Sequence, residues 1–208
     1  MNASNRHLVR VRAGILLSWG LVLVLGAGPA SGVDPAGAAQ PDRQAVNPDA
    51  QTMAAFTERA KAYADLHRKV EATLPKLATE ATPEAIDKHQ REFAARLTKA
   101  RPGASHGDLF TPDMRRLVRT LIRRVFKDPQ SRRQLRDAIM EDNPVRLKLT
   151  VNGRYPDAVP LSTMPPEILE QLPKLPEELE YRFVGETLIL LDPDAHIIVD
   201  YIERALPR

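Results

Sequence analysis

Three side chains near the carboxyl terminus have the types and spacing of a metal site. Asp192, Asp194 and His196 alternate with other residues, so in an extended segment all three would project to one face. Carboxylate oxygens and an imidazole nitrogen can together hold a divalent ion. The same Asp-Pro-Asp string is also typical of a turn, in which aspartate bonds its own backbone and proline presets φ. We therefore expect a turn here, with metal binding as the alternative.

A second candidate is an acid–base pair in the loop before a predicted helix that starts at Thr111. His106 and Asp108 could exchange protons with a substrate, as in a hydrolase. Asp108 is equally suited to the start of a helix, where negative charge is favoured. No G-x-S-x-G, P-loop, dinucleotide-binding, HExxH or EF-hand pattern accompanies the pair. The sequence therefore favours a protein without catalytic, cofactor-binding or metal-binding residues, and leaves a hydrolase as the alternative.

A basic helix is the best candidate for a binding surface. After Thr111 the chain carries five arginines, a residue type that captures phosphate or carboxylate groups in a bidentate way. They are Arg115, Arg116, Arg119, Arg123 and Arg124. An anionic component of the cell envelope would suit such a surface. The alternative is a solvated face that pairs in part with the chain's own acidic residues. Phe126 is the one aromatic residue in this segment, which argues against single-stranded nucleic acid as the ligand.

Charge is distributed unevenly along the chain. Residues 91–136 carry thirteen basic and four acidic side chains, a net charge of +9. Residues 137–208 carry seven basic and fourteen acidic side chains, a net charge of −7. Opposite charges predict that the two segments attract each other and dock. The net charge of the whole chain is only +3, which does not by itself indicate a nucleic-acid partner.

The amino terminus follows the plan of a secretory signal peptide. Arginines precede the apolar residues 13–27, and small residues follow them. A stretch of this length suits a signal better than a membrane span, which needs roughly 20 apolar residues. We predict a signal peptide over residues 1–39, cut between residues 30 and 39, and export to the periplasm or the extracellular space. A flexible lead-in over residues 40–48 follows, and only an uncleaved signal would contact a membrane.

Periodic apolar residues predict a helical hairpin in the next part of the chain. Apolar side chains recur at steps of three and four over residues 53–77 and again over residues 86–100. Thr82 precedes a proline between them and is a good cap for a second helix. We therefore expect an antiparallel helical hairpin over residues 49–101. His67 falls on the apolar seam, which predicts a packed core histidine. Because the sequence has no cysteine, disulfides and thiolate zinc sites are excluded.

The remaining residues predict a C-terminal α+β domain over residues 107–208. Two further helices should begin after Thr111 and near Asp128, which are both suited to capping. Alternating apolar residues predict strands over residues 145–151, 179–184 and 187–191, and a last strand or helix start over residues 196–202. The fold class is therefore α+β, with the helical hairpin and further helices followed by a small antiparallel β-meander.

Several strings in this half resemble a family of exported bacterial proteins with no known activity. They are GDLFTP at 107–112, VNGRYP at 151–156, LPKLPEELEYRFVG at 172–185 and IIVDYI at 197–202. The resemblance covers about half of the chain. It implies export and a shared C-terminal fold, and it implies no catalytic residue.

The sequence favours an exported, non-catalytic binding or assembly module of the cell envelope. Exposed strand edges and the proline-rich connector over residues 156–176 could accept a partner segment by strand addition. The alternatives are a periplasmic hydrolase or metal-binding protein that uses the groups named above, and a structural protein whose C-terminal part forms a homodimer. We expect a protein or an anionic envelope component as the partner, and no cofactor.

Overall fold

The computed structural model describes residues 47–142, 148–160 and 162–207. The predicted signal peptide over residues 1–39 lies outside these residues, and so does the predicted lead-in as far as residue 46. The described residues group into one unit by their mutual contacts. Within them, no helix is both long enough and apolar enough to cross a membrane.

Four long helices each begin with a proline that follows a capping side chain. They are α1 (Pro48–Glu71), α2 (Pro83–Ala100), α3 (Pro112–Val125) and α4 (Pro129–Asp142). Proline is tolerated at the first helical position because its missing N–H would have no partner in the helix. The capping side chains accept hydrogen bonds from N–H groups of the first turn; they belong to Asn47, Thr82, Thr111 and Asp128. The helix starts predicted from the last three of these residues are confirmed.

The first two helices form the predicted antiparallel hairpin. The chain reverses between α1 and α2, so that the His67 and Phe93 rings meet edge to face with centroids 4.7 Å apart. Toward the other end of the pair, the Arg101 guanidinium lies over the Tyr63 ring, 5.0 Å from its centroid. This is the geometry of a cation–π contact. The C-terminal part of the apolar seam of α1 therefore meets α2, whereas its N-terminal part, with Phe56 and Ala60, packs into the main core.

The C-terminal residues form a three-stranded antiparallel meander, as predicted. Its strands are β1 (Glu180–Val184), β2 (Thr187–Asp192) and β3 (Ile197–Ile202), in that order across the sheet. A two-residue turn joins β1 to β2. Its first residue, Gly185, has φ 52°, in the left-handed region that favours glycine. A short helix, α5 (Pro166–Leu169), precedes the sheet.

Both faces of the central strand β2 are buried. Leu188 and Leu190 face the main core, to which α1, α3, α4 and α5 also contribute. Ile189 and Leu191 face a second apolar cluster that includes Tyr155. A strand covered on both faces needs no polar side, which explains its unbroken apolar run. Helices therefore cover one face of the sheet, and the irregular segment that contains Tyr155 covers the other.

The prediction of a strand over residues 145–151 is wrong for those of its residues that the structure describes. Residues 145–147 lie outside the described residues, and residues 148–151 form no strand. The chain pairs with β3 instead at the residues that follow, Asn152 and Gly153. Asn152 N–H donates to the Ile198 carbonyl at 2.8 Å, and Ile198 N–H donates to the Gly153 carbonyl at 2.9 Å. The asparagine and glycine therefore lie beside β3.

Candidate functional site

A buried carboxylate joins α1 to the end of β2. Asp192 is fully buried, and its Oδ2 atom lies 2.6 Å from the Tyr63 hydroxyl and 2.7 Å from Nδ1 of His67. Its Oδ1 atom accepts the backbone N–H of Ala195 at 2.8 Å, which fixes the turn after β2. Tyr63 and His67 are four residues apart on α1, so both reach the same carboxylate. Three donors therefore compensate the buried charge.

Two further carboxylates lie near the other ring nitrogen of His67. Its Nε2 atom is 3.7 Å from Asp194 and 3.9 Å from Glu71, too far for hydrogen bonds. Burial alone would lower the pKa of His67. The hydrogen bond to Asp192 and its charge outweigh burial, so the pKa of His67 is raised. Burial, and then the charge of Asp192, also raises the pKa of Asp194.

This arrangement contains a carboxylate and an imidazole, but it is closed to a substrate. The His67 side chain is only 2% exposed, and the Phe93 ring packs against it. Among the residues that the structure describes, no hydroxyl is hydrogen-bonded to its Nε2 atom as an activated nucleophile would be. The network therefore holds α1 against the sheet, and the prediction that His67 is a packed core histidine is confirmed.

The three residues of the predicted metal cluster do not converge. Asp192 and Asp194 lie near His67, whereas Nε2 of His196 lies 3.3 Å from Oδ1 of Asp157. His196 has φ 55°, so the segment is not extended and the expected alternation fails. The expected turn forms between β2 and β3 instead. In the part of the chain that the structure describes, no group of three acidic or histidine side chains is placed to hold a metal ion.

The predicted acid–base pair is divided between different partners. Asp108 accepts hydrogen bonds from the backbone N–H and the hydroxyl of Ser105, at 2.8 and 2.7 Å. The hydrogen bond from the Ser105 backbone N–H is the main reason that the pKa of Asp108 is lowered. The His106 ring stacks on Tyr201 with centroids 4.3 Å apart, and its Nε2 lies 2.9 Å from the Tyr201 carbonyl oxygen. Because a carbonyl only accepts, that nitrogen carries hydrogen, and His106 faces Tyr201 rather than Asp108.

Asp200, in the middle of β3, organises the same loop and was not among the predicted site residues. It is fully buried, and it accepts the backbone N–H groups of Gly107, Leu109 and Phe110 at 2.8–3.0 Å. The β2–β3 register shifts by one residue beside it, which alters the side-chain alternation of β3. A single aspartate in the apolar string IIVDYI is the signal that could have found it, because a buried charge must have partners.

The five arginines of α3 fall into two groups. Arg116 pairs with Asp113, and Arg124 lies 3.8 Å from Asp49 of α1. The other three have no carboxylate partner among the described residues. They are Arg115, Arg119 and Arg123. The predicted binding surface is therefore divided into paired and unpaired guanidinium groups on one helix.

Arg119 binds the chain just after β3. Its Nη2 and Nε atoms donate to the carbonyls of Glu203 and Arg204, at 2.7 and 3.2 Å. Burial lowers the pKa of Arg119, and nearby positive charges lower it further, while Glu203 acts in the opposite direction. The positive charges belong to Arg115, Arg204 and Arg123. We call these four residues, with Arg119 at the centre, the arginine cluster. Arg204 belongs to no helical pattern, so the sequence gives no signal that places it there.

Each outer edge of the sheet is bonded to another part of the chain, β1 at Phe183 and β3 at Ile198, so the expectation of exposed edges is wrong at these positions. On β1, the Ser162 hydroxyl donates to the Phe183 carbonyl at 2.6 Å and accepts the Phe183 N–H at 3.0 Å. On β3, both backbone groups of Ile198 bond to residues 152 and 153. Occupied backbone groups cannot accept another strand. Strand addition therefore has no support at these two positions.

The buried carboxylates and the arginine cluster differ in how accessible they are to a ligand. The carboxylates of Asp192 and Asp200 are enclosed and fully bonded within the chain. The arginine cluster includes exposed side chains, those of Arg123 and Arg204.

Comparisons of the chain with protein-family models, with curated proteins and with solved structures find no match. The interpretation of these groups therefore depends on their own geometry, and the cluster is the candidate site.

Proposed function

We propose that this chain is an exported, non-catalytic binding module whose ligand is an anionic component of the cell envelope. The arginine cluster carries the proposal, because its guanidinium groups gather without carboxylate partners among the described residues. Arg116 and Arg124 on the same helix do have acidic neighbours. Gathered like charges repel, and a bound anion would offset that repulsion.

The imidazole groups considered for catalysis support a non-catalytic role. General acid–base catalysis requires a group that reaches substrate atoms directly or through one water. His67 is enclosed beside Asp192, and His106 points its Nε2 atom at the Tyr201 carbonyl. Each of these rings therefore serves a contact within the chain.

A second group of arginines, on α4, is the weaker candidate for the surface. Arg132 donates to the Phe126 carbonyl at 3.1 Å. Arg136 pairs with Glu186 and donates to the Pro207 carbonyl at 2.9 Å. The Arg136 contacts join the basic segment to the acidic C-terminal segment, whereas the Arg132 contact lies within the basic segment. Two of the arginines of α4 are therefore held by contacts within the chain. The cluster on α3 is therefore the favoured ligand surface.

Export is supported by the order of basic, apolar and small residues within residues 1–39. In bacteria that express the full chain, we expect the protein in the periplasmic or culture fraction, shortened by removal of the signal. The intact mass of that product would place the cut between residues 30 and 39. A full-length chain that stays in the membrane fraction would contradict export as a free protein.

Removing two members of the arginine cluster should weaken binding to a phosphorylated matrix. We expect the double variant Arg115→Ala/Arg123→Ala to bind phosphocellulose about 100-fold more weakly than the original chain, since each hydrogen bond between charged groups contributes about 1.5–3 kcal/mol. Dissociation constants from batch binding at fixed salt would measure the change. Arg119 is left in place because it also holds the carbonyls after β3.

The control is the double variant Arg116→Ala/Arg124→Ala. It removes two arginines from the same helix and changes the net charge by the same amount, but these two have acidic neighbours. We expect its dissociation constant for phosphocellulose to change by less than about threefold, because exposed ion pairs contribute little free energy. Equal losses in the two double variants would show that net charge alone determines retention, and would contradict the proposed surface. Circular dichroism should show that both variants keep the fold.

A further inference from the structure

We infer that the anionic ligand is a linear chain of linked phosphate groups, an inference that rests on the proposed binding role of the arginine cluster. Arg115, Arg119 and Arg123 follow one another at steps of four on α3. The helical rise places the first and last of them about 12 Å apart along the axis. A ligand that neutralises the whole cluster must therefore carry charges along a line, which a single phosphate or carboxylate ion does not.

The two outer arginines have donors to offer. Nη1 of Arg115 lies 3.3 Å from Nε2 of His106. This contact involves at most one of the five N–H donors of Arg115. Nη2 of Arg123 contacts the Thr120 hydroxyl at 3.2 Å, which uses one of five donors. Both guanidinium groups can therefore bind an anion without breaking an ion pair.

The centre of the cluster is built by the chain after β3. Arg119 uses its Nε and Nη2 atoms for the two carbonyls there, and its Nη1 atom is not part of those bonds. Arg204 is exposed and has φ 49°, a left-handed conformation that glycine or asparagine adopts more easily. An arginine in this position adds a fourth charge beside the helix.

Phosphate groups suit this arrangement better than carboxylates do. The oxygens of a phosphate point in several directions, so one group can bridge two neighbouring guanidiniums. The two oxygens of a carboxylate lie in one plane and match a single guanidinium fork. Successive arginines of the cluster on α3 are four residues apart, which places their β-carbons about 5–6 Å from each other. A chain of phosphates can therefore bind several arginines at once.

Calorimetric titration with three small probes tests this inference. The protein used is the one purified after expression of the full chain. The probes are orthophosphate, tripolyphosphate and citrate, the last being a tricarboxylate. We expect tripolyphosphate to bind about 100-fold more tightly than orthophosphate, because linked groups bind as one multivalent ligand. Citrate should bind no more tightly than orthophosphate. The variant Arg115→Ala/Arg123→Ala should lose the advantage of tripolyphosphate, and Arg116→Ala/Arg124→Ala should keep it.

The contrary results separate this inference from the proposed function. Equal affinity for orthophosphate and tripolyphosphate would overturn the inference of a linear phosphate ligand, and so would citrate that binds as tightly as tripolyphosphate. In either case, retention on phosphocellulose that depends on Arg115 and Arg123 would leave the proposed function standing. A protein that is not retained on phosphocellulose and binds none of the three probes would overturn both.

Discussion

Replacing Asp200 with alanine is expected to lower the free energy of unfolding by about 4 kcal/mol, because a buried N–H that loses its acceptor costs about 1–3 kcal/mol. The carboxylate accepts the N–H groups of Gly107, Leu109 and Phe110, in the loop that leads into α3. Alanine supplies no acceptor, and the enclosed position limits replacement by water. A loss of this size is a large part of the about 5–15 kcal/mol that stabilises an ordinary domain.

Urea unfolding followed by circular dichroism would measure this loss. The matched control is Asp108→Ala, in the same loop. Asp108 is exposed and bonds to the neighbouring Ser105, so its loss should cost about 1 kcal/mol. Asp200→Asn keeps one acceptor oxygen and should lie between the two. If Asp200→Ala were no more destabilising than Asp108→Ala, Asp200 would not be what organises the loop.

Replacing Asp192 with alanine should lower the free energy of unfolding by about 3–5 kcal/mol, as when one partner of a buried ion pair is removed. The change leaves the Tyr63 hydroxyl and Nδ1 of His67 without their shared acceptor in an enclosed position. The turn after β2 also loses its bond to the N–H of Ala195. The same urea experiment measures this effect.

Asp194→Ala is the control for this second prediction. Its side chain is 63% exposed and 3.7 Å from Nε2 of His67, so its removal should cost less than about 1 kcal/mol. Similar losses at the two aspartates would contradict the role given to Asp192.

The dependence of stability on pH gives an independent check on the same pair. Because the folded protein raises the pKa of His67 above its usual value of 6.5, the pair stabilises the fold fully below pH 6.5. This contribution is lost as the pH rises through the raised value. The variant Asp192→Ala should lose that part of the pH dependence, whereas a cavity alone would leave it in place.

Local signals were enough to predict the helices and the meander. Thr82 and Thr111 are followed by proline, and both proved to be caps because capping depends on residues within one turn. The strands around Gly185 were equally predictable, since a glycine turn and apolar runs define that hairpin locally. These elements needed no knowledge of distant contacts.

The polar sites could not be predicted in the same way, because their partners are distant in sequence. Asp192 is 125 residues from His67, and Asp200 is 91 residues from Leu109. Spacing along the chain therefore grouped Asp192 with the wrong histidine, His196. His196 adopts a positive φ in the turn. A prediction that assumes an extended segment with alternating side chains does not allow for this conformation.

The sequence predicted only part of the division of the α3 arginines into those with and those without acidic partners. The Arg116–Asp113 pair follows from a spacing of three on one helix. The contact of Arg124 with Asp49 depends on the packing of α1 beside α3, and the position of Arg204 depends on the chain after β3. The sequence thus pointed to the helix on which we propose the ligand surface but not to the members of the cluster.

A titration of tripolyphosphate into protein with isotope-labelled arginine side chains, followed by nuclear magnetic resonance, would show directly which arginines bind the anion. We expect the guanidinium signals of Arg115, Arg123 and Arg204 to shift together and reach saturation, while those of Arg116 and Arg124 stay nearly constant. Shifts centred on the arginines of α4, or shifts of similar size at all arginines without saturation, would rule out the arginine cluster as the ligand surface.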